Sequence, residues 1–280
     1  MKGIDQRAIR IAILDLYDGA ANQGMRCIRQ IIREWVTTKK ITVEAEEFNV
    51  RQSNELPDTS FDIYISSGGP GNPLTTRFDD WDIAWCKWLR EIERWNENPD
   101  TTEKKHVFFI CHSFQLASRY FNAGILRPRR STAFGIFPVH MLEDGKNENV
   151  FDGLKDPFYA VDSRDHQLVQ PNMEMLKKTG AKILCIEKER PHVPYERAVM
   201  AIRFNEYMIG TQFHPEADAE GMSLYLKTDE KKETIITNYG EDKFYSMIKY
   251  LEEPDKIFRT YSHVLPNFLT NALLSIEAAG

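Results

Sequence analysis

Short apolar runs alternate with segments of helical periodicity through the first half of the chain, and this alternation constrains the fold more than any other feature. Residues 9–16 (IRIAILDL) form a β-branched apolar run, and residues 24–36 (GMRCIRQIIREWV) follow with apolar side chains at helical spacing. Three later runs, at residues 41–50, 61–67 and 106–110, also predict strands. Such an alternation is typical of an α/β fold with a largely parallel sheet and helices on both faces.

One intervening segment, DDWDIAWCKWLREIERW, has an aromatic stripe. Wide apolar stripes are how helices bury area, so the pattern favours a helix packed on the sheet over a cofactor-stacking surface. The residues of the stripe are Trp81, Trp85, Trp88, Ile92 and Trp95.

From about residue 128 the strand patterns follow one another through short connections, which predicts a mixed sheet. After Glu216 the pattern becomes helical, with a charged segment at residues 227–233 that indicates a solvated segment or mobile loop. Two terminal helices follow, the second interrupted at Pro266. We therefore predict one domain over residues 1–220 and a helical C-terminal extension over 221–280 packed on it.

Charge and cysteine usage exclude several classes of function. The net charge of −6, with acids and bases intermixed, argues against bulk nucleic-acid binding and a basic membrane patch. No run is long enough to cross a membrane, and the N-terminus lacks signal-peptide anatomy. The cysteines, scattered without metal-ligand spacing, predict free thiols in a reducing cytoplasm and no metal site. They are Cys27, Cys86, Cys111 and Cys185.

Cys111 stands apart because it follows a predicted central strand in FFICHSFQLASRYF, just before a helix predicted over residues 115–124 with Gly124 as its C-cap. In open α/β sheets, chemistry takes place beyond the carboxyl ends of the strands. A sharp strand-to-helix turn projects a side chain into a cleft and aims free backbone N–H groups there, which favours a thiolate. A cysteine in this position is nevertheless more often a packing residue than a nucleophile.

Two further strand ends supply what a thiolate nucleophile needs. In GTQFHPEAD, extended backbone places His214 and Glu216 on one side, so that the carboxylate can orient the imidazole as a general base. Pro215 between them restricts the backbone and holds His214 extended. In SSGGPGNP, residues 66–73, two glycines allow close backbone approach to a ligand. Three such loops at one sheet edge form a much less accidental pattern than any one alone.

These residues resemble the class I, triad-type glutamine amidotransferases, and the chain is similar to the glutaminase domain of GMP synthase. The resemblance rests on Cys111, the Gly68-Gly69-Pro70 loop before it, and the phrase IGTQFHPE after it, and it covers roughly residues 9–219. Gln115 matches a glutamine usual four residues beyond the nucleophile. The resemblance implies a flavodoxin-like three-layer fold and no cofactor.

The resemblance also implies a chemistry, which is hydrolysis of the glutamine side-chain amide. Cys111 would attack the carbonyl, His214 oriented by Glu216 would protonate the departing ammonia, and the N–H groups of Gly69 and His112 would hold the oxyanion. A thioester would then release glutamate to water.

Substrate contacts are implied for a second group of residues. The segment VDSRDHQLV at residues 161–169 occupies the position of a family loop that contacts the amino-acid end of the substrate. The residues assigned to substrate binding on this basis are Gly68, Pro70, Gln115, Arg164 and Asp165.

The elbow departs from the family pattern G-x-C-x-G, because Phe109 and Ser113 replace both glycines. Phe109 has to pack where a side chain is normally absent, which predicts an altered elbow or a shifted neighbouring loop. His112 should point away from the thiol as a pocket-lining side chain, with recognition of the leaving group as a lesser alternative.

Three functions remain open from the sequence. The first is a glutaminase subunit that supplies ammonia to a separate synthetase or ligase, since the extension has no nucleotide-binding glycine loop. The second is a stand-alone γ-glutamyl hydrolase or transferase, and the third is a weakly catalytic binding or regulatory module. The extension could serve as a lid, a homodimer surface or a docking element.

Overall fold

A computed structural model describes residues 7–191, 194–253 and 256–279. Within these ranges, nine strands form one sheet in the order β2-β1-β3-β4-β9-β8-β7-β5-β6. The strands are β1 (Ile9–Asp15), β2 (Val43–Asn49), β3 (Ile63–Ser66), β4 (His106–Ile110), β5 (Ile125–Met141), β6 (Phe158–Val169), β7 (Lys182–Glu187), β8 (Val199–Asn205) and β9 (Met208–Thr211).

The helices connect the strands and extend the chain beyond them. They are α1 (Gly24–Lys39), α2 (Val50–Ser53), α3 (Asp80–Glu97), α4 (His112–Tyr120), α5 (Glu143–Lys146), α6 (Met173–Thr179), α7 (Ala219–Leu226), α8 (Asp229–Tyr239), α9 (Glu241–Glu252) and α10 (Phe258–Ala279).

The sheet has a parallel half and an antiparallel half. Strands β2, β1, β3, β4 and β9 pair in parallel, whereas β9–β8, β8–β7, β7–β5 and β5–β6 pair antiparallel. The prediction of a three-layer, mixed α/β sheet is confirmed. The carboxyl ends of β1, β3, β4 and β9 therefore meet at one edge, where the three candidate loops begin.

Each face of the parallel half is covered by helices of matching apolar pattern. On one face, α1 and α10 pack against Ile11, Ile65 and Phe108. On the other, the predicted tryptophan stripe of α3 is buried except for the half-buried Trp95, and Trp85 is fully inaccessible. The aromatic stripe thus serves sheet packing, as its helical spacing indicates.

The last helix completes one layer of the fold. Phe268 of α10 makes an edge contact with Phe108 of β4, and Trp35 of α1 donates a hydrogen bond to Thr270 Oγ1 at 3.1 Å. Pro266 lies inside α10 and does not interrupt it, contrary to the sequence prediction. Burial of the helix's apolar face offsets a proline cost of about 3 kcal/mol. A domain boundary at residue 220 stays a prediction.

Two other local predictions, for the bounds of the helix after Cys111 and for a loop at residues 161–169, are wrong at the level of secondary structure. Helix α4 starts at His112 and ends at Tyr120, and Asn122 rather than Gly124 adopts the left-handed backbone, with φ of 52°. The N–H groups of Asn122 and Ala123 donate to the carbonyls of Arg119 and Ser118, so a complete Schellman motif ends the helix early.

Of the two alternatives for residues 227–233, the solvated segment is confirmed, because its described side chains are exposed, and the segment enters α8 at Asp229 instead of forming a loop. The segment at residues 161–169 is not a loop either, since it forms most of β6. The sequence lacks the apolar–polar alternation of a strand here because two buried positions of β6 carry Asp162 and Arg164, which form an ion pair with each other.

His106 at the start of β4 should make stability depend on pH. Burial, with a smaller contribution from Arg203, lowers the pKa of this imidazole to about 4. Between pH 6.5 and 4 the unfolded chain therefore binds one more proton than the folded chain, and the free energy of unfolding falls as pH falls. We expect the wild type to lose about 3 kcal/mol more than His106→Gln over this interval, as measured by urea unfolding. Parallel pH curves for the two proteins would contradict this assignment.

Candidate active site

Cys111 occupies a sharp turn between β4 and α4. Its backbone has φ of 46° and ψ of −95°, a conformation that non-glycine residues rarely adopt, and its N–H donates to the Thr211 carbonyl at 2.8 Å. The turn places the thiol beyond the carboxyl end of the strand, at the start of a helix whose first N–H groups have no intrahelical acceptor. This is the geometry of a nucleophile elbow.

Ser113 ties this elbow to the neighbouring strand. Its hydroxyl accepts a hydrogen bond from the Ile110 N–H at 2.8 Å and donates one to the Ser66 carbonyl at 2.6 Å. The residue is fully buried. A serine in this position therefore fastens the end of β4 to the end of β3, from which the Gly-Gly-Pro loop leaves the sheet.

His214 and Glu216 form the orienting pair expected from their spacing. His214 Nδ1 lies 2.8 Å from Glu216 Oε1, and the carboxylate is buried. The His214 N–H donates to the Val161 carbonyl at 2.8 Å and so fixes the backbone. A carboxylate on Nδ1 selects the tautomer that leaves Nε2 free for chemistry.

The imidazole also interacts with the thiol. Burial opposes protonation of His214, but the charge of Cys111, the charge of Glu216 and hydrogen bonds to both outweigh it and raise the His214 pKa well above its ordinary value. A raised histidine pKa beside a cysteine favours a thiolate–imidazolium pair.

The two glycines before the elbow are both required by close approaches. A Cβ on Gly69 would lie 2.2 Å from the Leu16 carbonyl oxygen, and a Cβ on Gly68 would lie 2.8 Å from His214 Cε1. Gly68 therefore lies against the imidazole rather than on the cavity wall. Gly69 and Pro70 face the cavity itself.

A cavity of about 520 Å³ opens in front of the thiol. Of the ten residues predicted for the site, nine line it or contribute a wall, and Gly68 is the exception. Those nine are Gly69, Pro70, Cys111, His112, Gln115, Arg164, Asp165, His214 and Glu216.

Comparison with known proteins identifies the family of this chain. A sequence model described as glutamine amidotransferase class-I matches residues 13–229. The chain belongs to the class-I glutamine amidotransferase family. No curated protein gives a significant sequence match.

Solved structures share the fold. A glutamine amidotransferase from Thermotoga maritima is 13% identical, with a TM-score of 0.67 over 95% of this chain and 99% of that one. A protein described as one of the subunits of GMP synthase, from Thermoplasma acidophilum, is 17% identical, with a TM-score of 0.53 over 88% and 97%. The glutaminase domain of a Trypanosoma brucei CTPS, solved with bound acivicin, is 14% identical, with a TM-score of 0.55 over 94% of each chain.

In this amidotransferase chain the bulky Phe109 is accommodated by a glycine in the next strand. Phe109 pairs with Gly210 across β4 and β9, and a Cβ on Gly210 would lie 3.0 Å from the Phe109 Cβ. The phenyl ring is fully buried and makes edge contacts with Trp85 and Phe204. The Phe109 side chain, which replaces a glycine of the family pattern, thus packs behind the elbow, on the side away from the cavity.

The two residues assigned to the amino-acid end of the substrate differ in their surroundings. The Arg164 guanidinium is buried, with Nε 2.9 Å from Asp162 Oδ1 and Nη2 3.3 Å from Glu187 Oε1. Asp165 is exposed on the cavity wall, and its Oδ1 accepts a hydrogen bond from Thr132 Oγ1 at 2.5 Å. The Asp165 carboxylate is therefore open to a ligand, whereas the Arg164 guanidinium is paired through Nε and Nη2 and keeps only the buried Nη1 without a partner.

His112 is a buried, neutral part of the cavity wall. Its ring lies 6.2 Å from the Trp81 ring, centroid to centroid, and burial lowers its pKa to about 3. It therefore carries no charge near neutral pH, and its backbone N–H is the group available to an oxyanion.

Gln212 is a site residue that sequence reasoning missed, although it lies within the phrase IGTQFHPE. Gln115 Nε2 donates to Gln212 Oε1 at 3.1 Å and to the His166 carbonyl at 3.3 Å. This leaves the Gln212 amide to present its NH2 to Cys111 Sγ at 3.6 Å. The Gln115–Gln212 pair thus aims a buried N–H donor at the thiol, which stabilises the thiolate.

Removal of this donor should make the thiolate harder to form. In Gln212→Leu we expect iodoacetamide to alkylate Cys111 roughly tenfold more slowly at pH 7, because a hydrogen bond to a charged group contributes about 1.5–3 kcal/mol. Gln30→Leu, at a half-buried position of α1 that does not line the cavity, is the control. An unchanged alkylation rate in Gln212→Leu would show that this residue does not stabilise the thiolate.

The other three cysteines have a different environment. Burial raises the pKa of Cys27 to about 12, raises that of Cys86, and raises that of Cys185 well above its ordinary value. All four cysteines are free, as predicted. Burial therefore holds these three as neutral thiols, which are poor nucleophiles.

Metal ligation and membrane insertion find no support in the described ranges. There, no three His, Cys, Asp or Glu side chains are grouped so as to hold a metal ion. The described helices include none with the length and apolar character needed to cross a bilayer.

Proposed function

We propose that this chain is a glutaminase of the amidotransferase type that hydrolyses the side-chain amide of glutamine through a cysteinyl thioester. The observation that carries the proposal is the placement of Cys111 at a strained strand end beside the His214–Glu216 pair, with a glycine loop opposite. These are the parts required for nucleophilic acyl transfer.

The first half-reaction forms the thioester. The Cys111 thiolate adds to the amide carbonyl carbon, and the backbone N–H groups of Gly69 and His112 stabilise the negative charge that develops on oxygen. The intermediate collapses with cleavage of the C–N bond, while the His214 imidazolium transfers its proton to the departing nitrogen. The products of this step are ammonia and a γ-glutamyl thioester of the enzyme.

The second half-reaction consumes water. Neutral His214, held by Glu216, takes a proton from a water molecule as its oxygen attacks the thioester carbon. The C–S bond breaks, glutamate leaves, and the thiolate–imidazolium pair is restored. The high pKa of His214 favours this charged resting state.

The amino-acid end of the substrate has complementary groups on the cavity wall. The exposed Asp165 carboxylate can accept hydrogen bonds from the α-ammonium group of the substrate. Gln115 uses its NH2 in two hydrogen bonds, which leaves its Oε1 as a further acceptor. These contacts support binding of an α-amino acid whose side chain reaches the thiol. Arg164 could add a contact only through Nη1, because its Nε and Nη2 are paired with Asp162 and Glu187.

The size of the cavity favours a second candidate, a γ-glutamyl hydrolase or transferase. Cavities of about 300–1,000 Å³ hold drug-sized ligands, so L-glutamine would fill only part of the 520 Å³ here. A γ-glutamyl amide with a larger leaving group would use the remainder. The same thiol, base and oxyanion donors would act on either substrate.

The destination of the ammonia is part of the proposal. We expect a separate synthetase or ligase subunit to receive it, and we place the reaction in the cytoplasm. Residues 221–280 contain no nucleotide-binding glycine loop with which the chain could activate an acceptor by itself.

Ammonia release by the purified chain tests the proposal. The substrates are L-glutamine and a panel of γ-glutamyl amines, each measured with wild type and Cys111→Ala. Glutamine turnover that is lost in the variant supports the glutaminase, and turnover of conjugates alone supports the hydrolase. If no substrate releases ammonia and a glutamine-like electrophile does not label Cys111, the chain would be a binding module on this fold.

A further inference from the structure

A second cavity, of about 490 Å³, lies beside the irregular segment of β5. The pairing of β5 with β6 shifts register between Pro128 and Ala133, so the backbone bulges away from the ladder there. The cavity is lined by Arg127, Pro128, Arg129, Arg130, Ser131, Gln167, Arg190 and Tyr195. Four of these eight residues are arginines, and none of the described residues that line it is an aspartate or glutamate.

The arginines around this cavity outnumber the carboxylates that neutralise them. Glu187 Oε1 lies 3.2 Å from Arg129 and 3.3 Å from Arg164, and Glu187 Oε2 lies 2.9 Å from Arg190. One carboxylate thus pairs with three guanidinium groups, and among the described residues only Arg164 of these three has a second carboxylate partner, Asp162. Burial and the adjacent Arg164 lower the pKa of Arg129, as expected where positive charges crowd together.

The remaining two arginines behave differently from each other. Arg127 is paired with Glu196 at 2.5 Å. The exposed Arg130 lies over the Tyr195 ring, 4.4 Å from its centroid. With Arg130 included, the cavity has an excess of about two positive charges, in a chain whose net charge is −6.

The polar groups that line the cavity are hydrogen-bond donors. The guanidinium groups and the Ser131 and Tyr195 hydroxyls can donate. Gln167 Oε1 accepts a hydrogen bond from Arg129 at 2.6 Å, which leaves the Gln167 NH2 as a donor. A ligand rich in acceptors and carrying two negative charges satisfies such a surface. Phosphate esters have this chemistry, and arginine forks match it.

We propose that the cavity beside the β5 bulge is a binding site for a phosphate-bearing small molecule. Arg129, held in place by Glu187 and Gln167, provides the fixed part of the site, and Arg130 and Arg190 provide the more accessible part. The site lies apart from the thiol and does not depend on the hydrolytic chemistry proposed for Cys111.

The site and the catalytic cavity share two strands. His166 lines the catalytic cavity while the next residue, Gln167, lines the arginine cavity. In β5, Ser131 lines the arginine cavity, and the adjacent Thr132 donates to Asp165 on the catalytic wall. A ligand bound at the bulge would therefore contact residues adjacent in sequence to those of the wall that faces the substrate.

Calorimetric titration with inorganic pyrophosphate tests the proposal. We expect saturable binding to the full chain with a dissociation constant of about 1 mM or tighter at low salt, weakened as salt is added. Arg130→Gln and Arg190→Gln should each weaken it roughly tenfold, the loss expected for one charge-assisted contact. Both side chains are partly or fully solvent-exposed, and circular dichroism will show whether the variants keep the wild-type fold.

Two control variants distinguish binding in this cavity from binding elsewhere on the protein. Arg33→Gln, an exposed arginine on α1, should bind pyrophosphate as the wild type does. Cys111→Ala should also bind normally, so that failure of the proposed hydrolysis and failure of this site can be told apart. Absence of binding at about 10 mM pyrophosphate, or equal binding by the Arg130→Gln/Arg190→Gln double variant, would overturn the proposal. Equal binding of sulfate and citrate would overturn its assignment to phosphate.

Discussion

Cys111→Ala should abolish ammonia release from glutamine, with a loss of at least about 10⁴-fold, because no thioester can form without the nucleophile. The fold should persist, since alanine removes only a thiol whose hydrogen-bond partners are Gln212, the Ser163 carbonyl and His214. Steady-state ammonia release and a thermal unfolding curve, measured on the same preparation, check both parts of this expectation.

The matched control is Cys86→Ala. Cys86 lies half-buried on α3, and burial raises its pKa, so it should remain a bystander thiol. Cys27→Ala should also be nearly silent, although Cys27 contributes to the cavity wall and is the less independent control. Full activity in Cys111→Ala would refute the mechanism, whereas loss of activity in Cys86→Ala would point to a structural effect of thiol removal.

His214→Ala should lower the rate of glutamine hydrolysis by several orders of magnitude. Loss of a positioned acid–base group typically costs about 10²–10⁴-fold, and here the same residue also stabilises the thiolate. Since the His214 pKa is raised well above its ordinary value, the imidazolium persists above pH 6.5 in the wild type. The wild-type rate should therefore hold beyond neutral pH and fall only as pH rises through the pKa of the folded protein.

The leaving group distinguishes proton donation from a merely structural effect. From a γ-glutamyl anilide with an electron-withdrawing substituent, the aniline leaves with less need for a proton. His214→Ala should therefore impair cleavage of this substrate less than it impairs glutamine hydrolysis. Glu216→Gln, which keeps the side-chain size, should give an intermediate loss because it weakens the hold on Nδ1. Equal losses on both substrates would argue that His214 supports the fold of the site rather than proton transfer.

Sequence patterns of short range predicted much of this protein. The apolar runs of β1, β3 and β4 and the tryptophan stripe of α3 appear as predicted, because strand and helix periodicity are local properties of the chain. The sequence was also enough to propose Cys111, His214 and Glu216 as candidate residues. The ends of parallel strands meet at one edge, and residues two apart on extended backbone share a side.

Other features depend on which distant residues become neighbours, and only the tertiary structure decided them. Gln212 faces Cys111, and Gly210 makes room for Phe109, because β4 and β9 pair in one particular register although about 100 residues separate them. Strand β6 was missed because ion pairs replace apolar side chains on part of its buried face.

The position of the C-terminal helix and the arginine cavity both depend on contacts between residues that are far apart in the sequence. Helix α10 belongs to one layer of the core because Phe268 contacts Phe108 on one face of the sheet. No local sequence pattern predicts that contact. The four cavity arginines lie at positions 127, 129, 130 and 190, and only the pairing of β5 and β7 with their neighbours brings them around one space. Periodicity along a chain specifies its elements, whereas strand register and packing, which depend on free energies summed over many distant contacts, determine how the elements form a site.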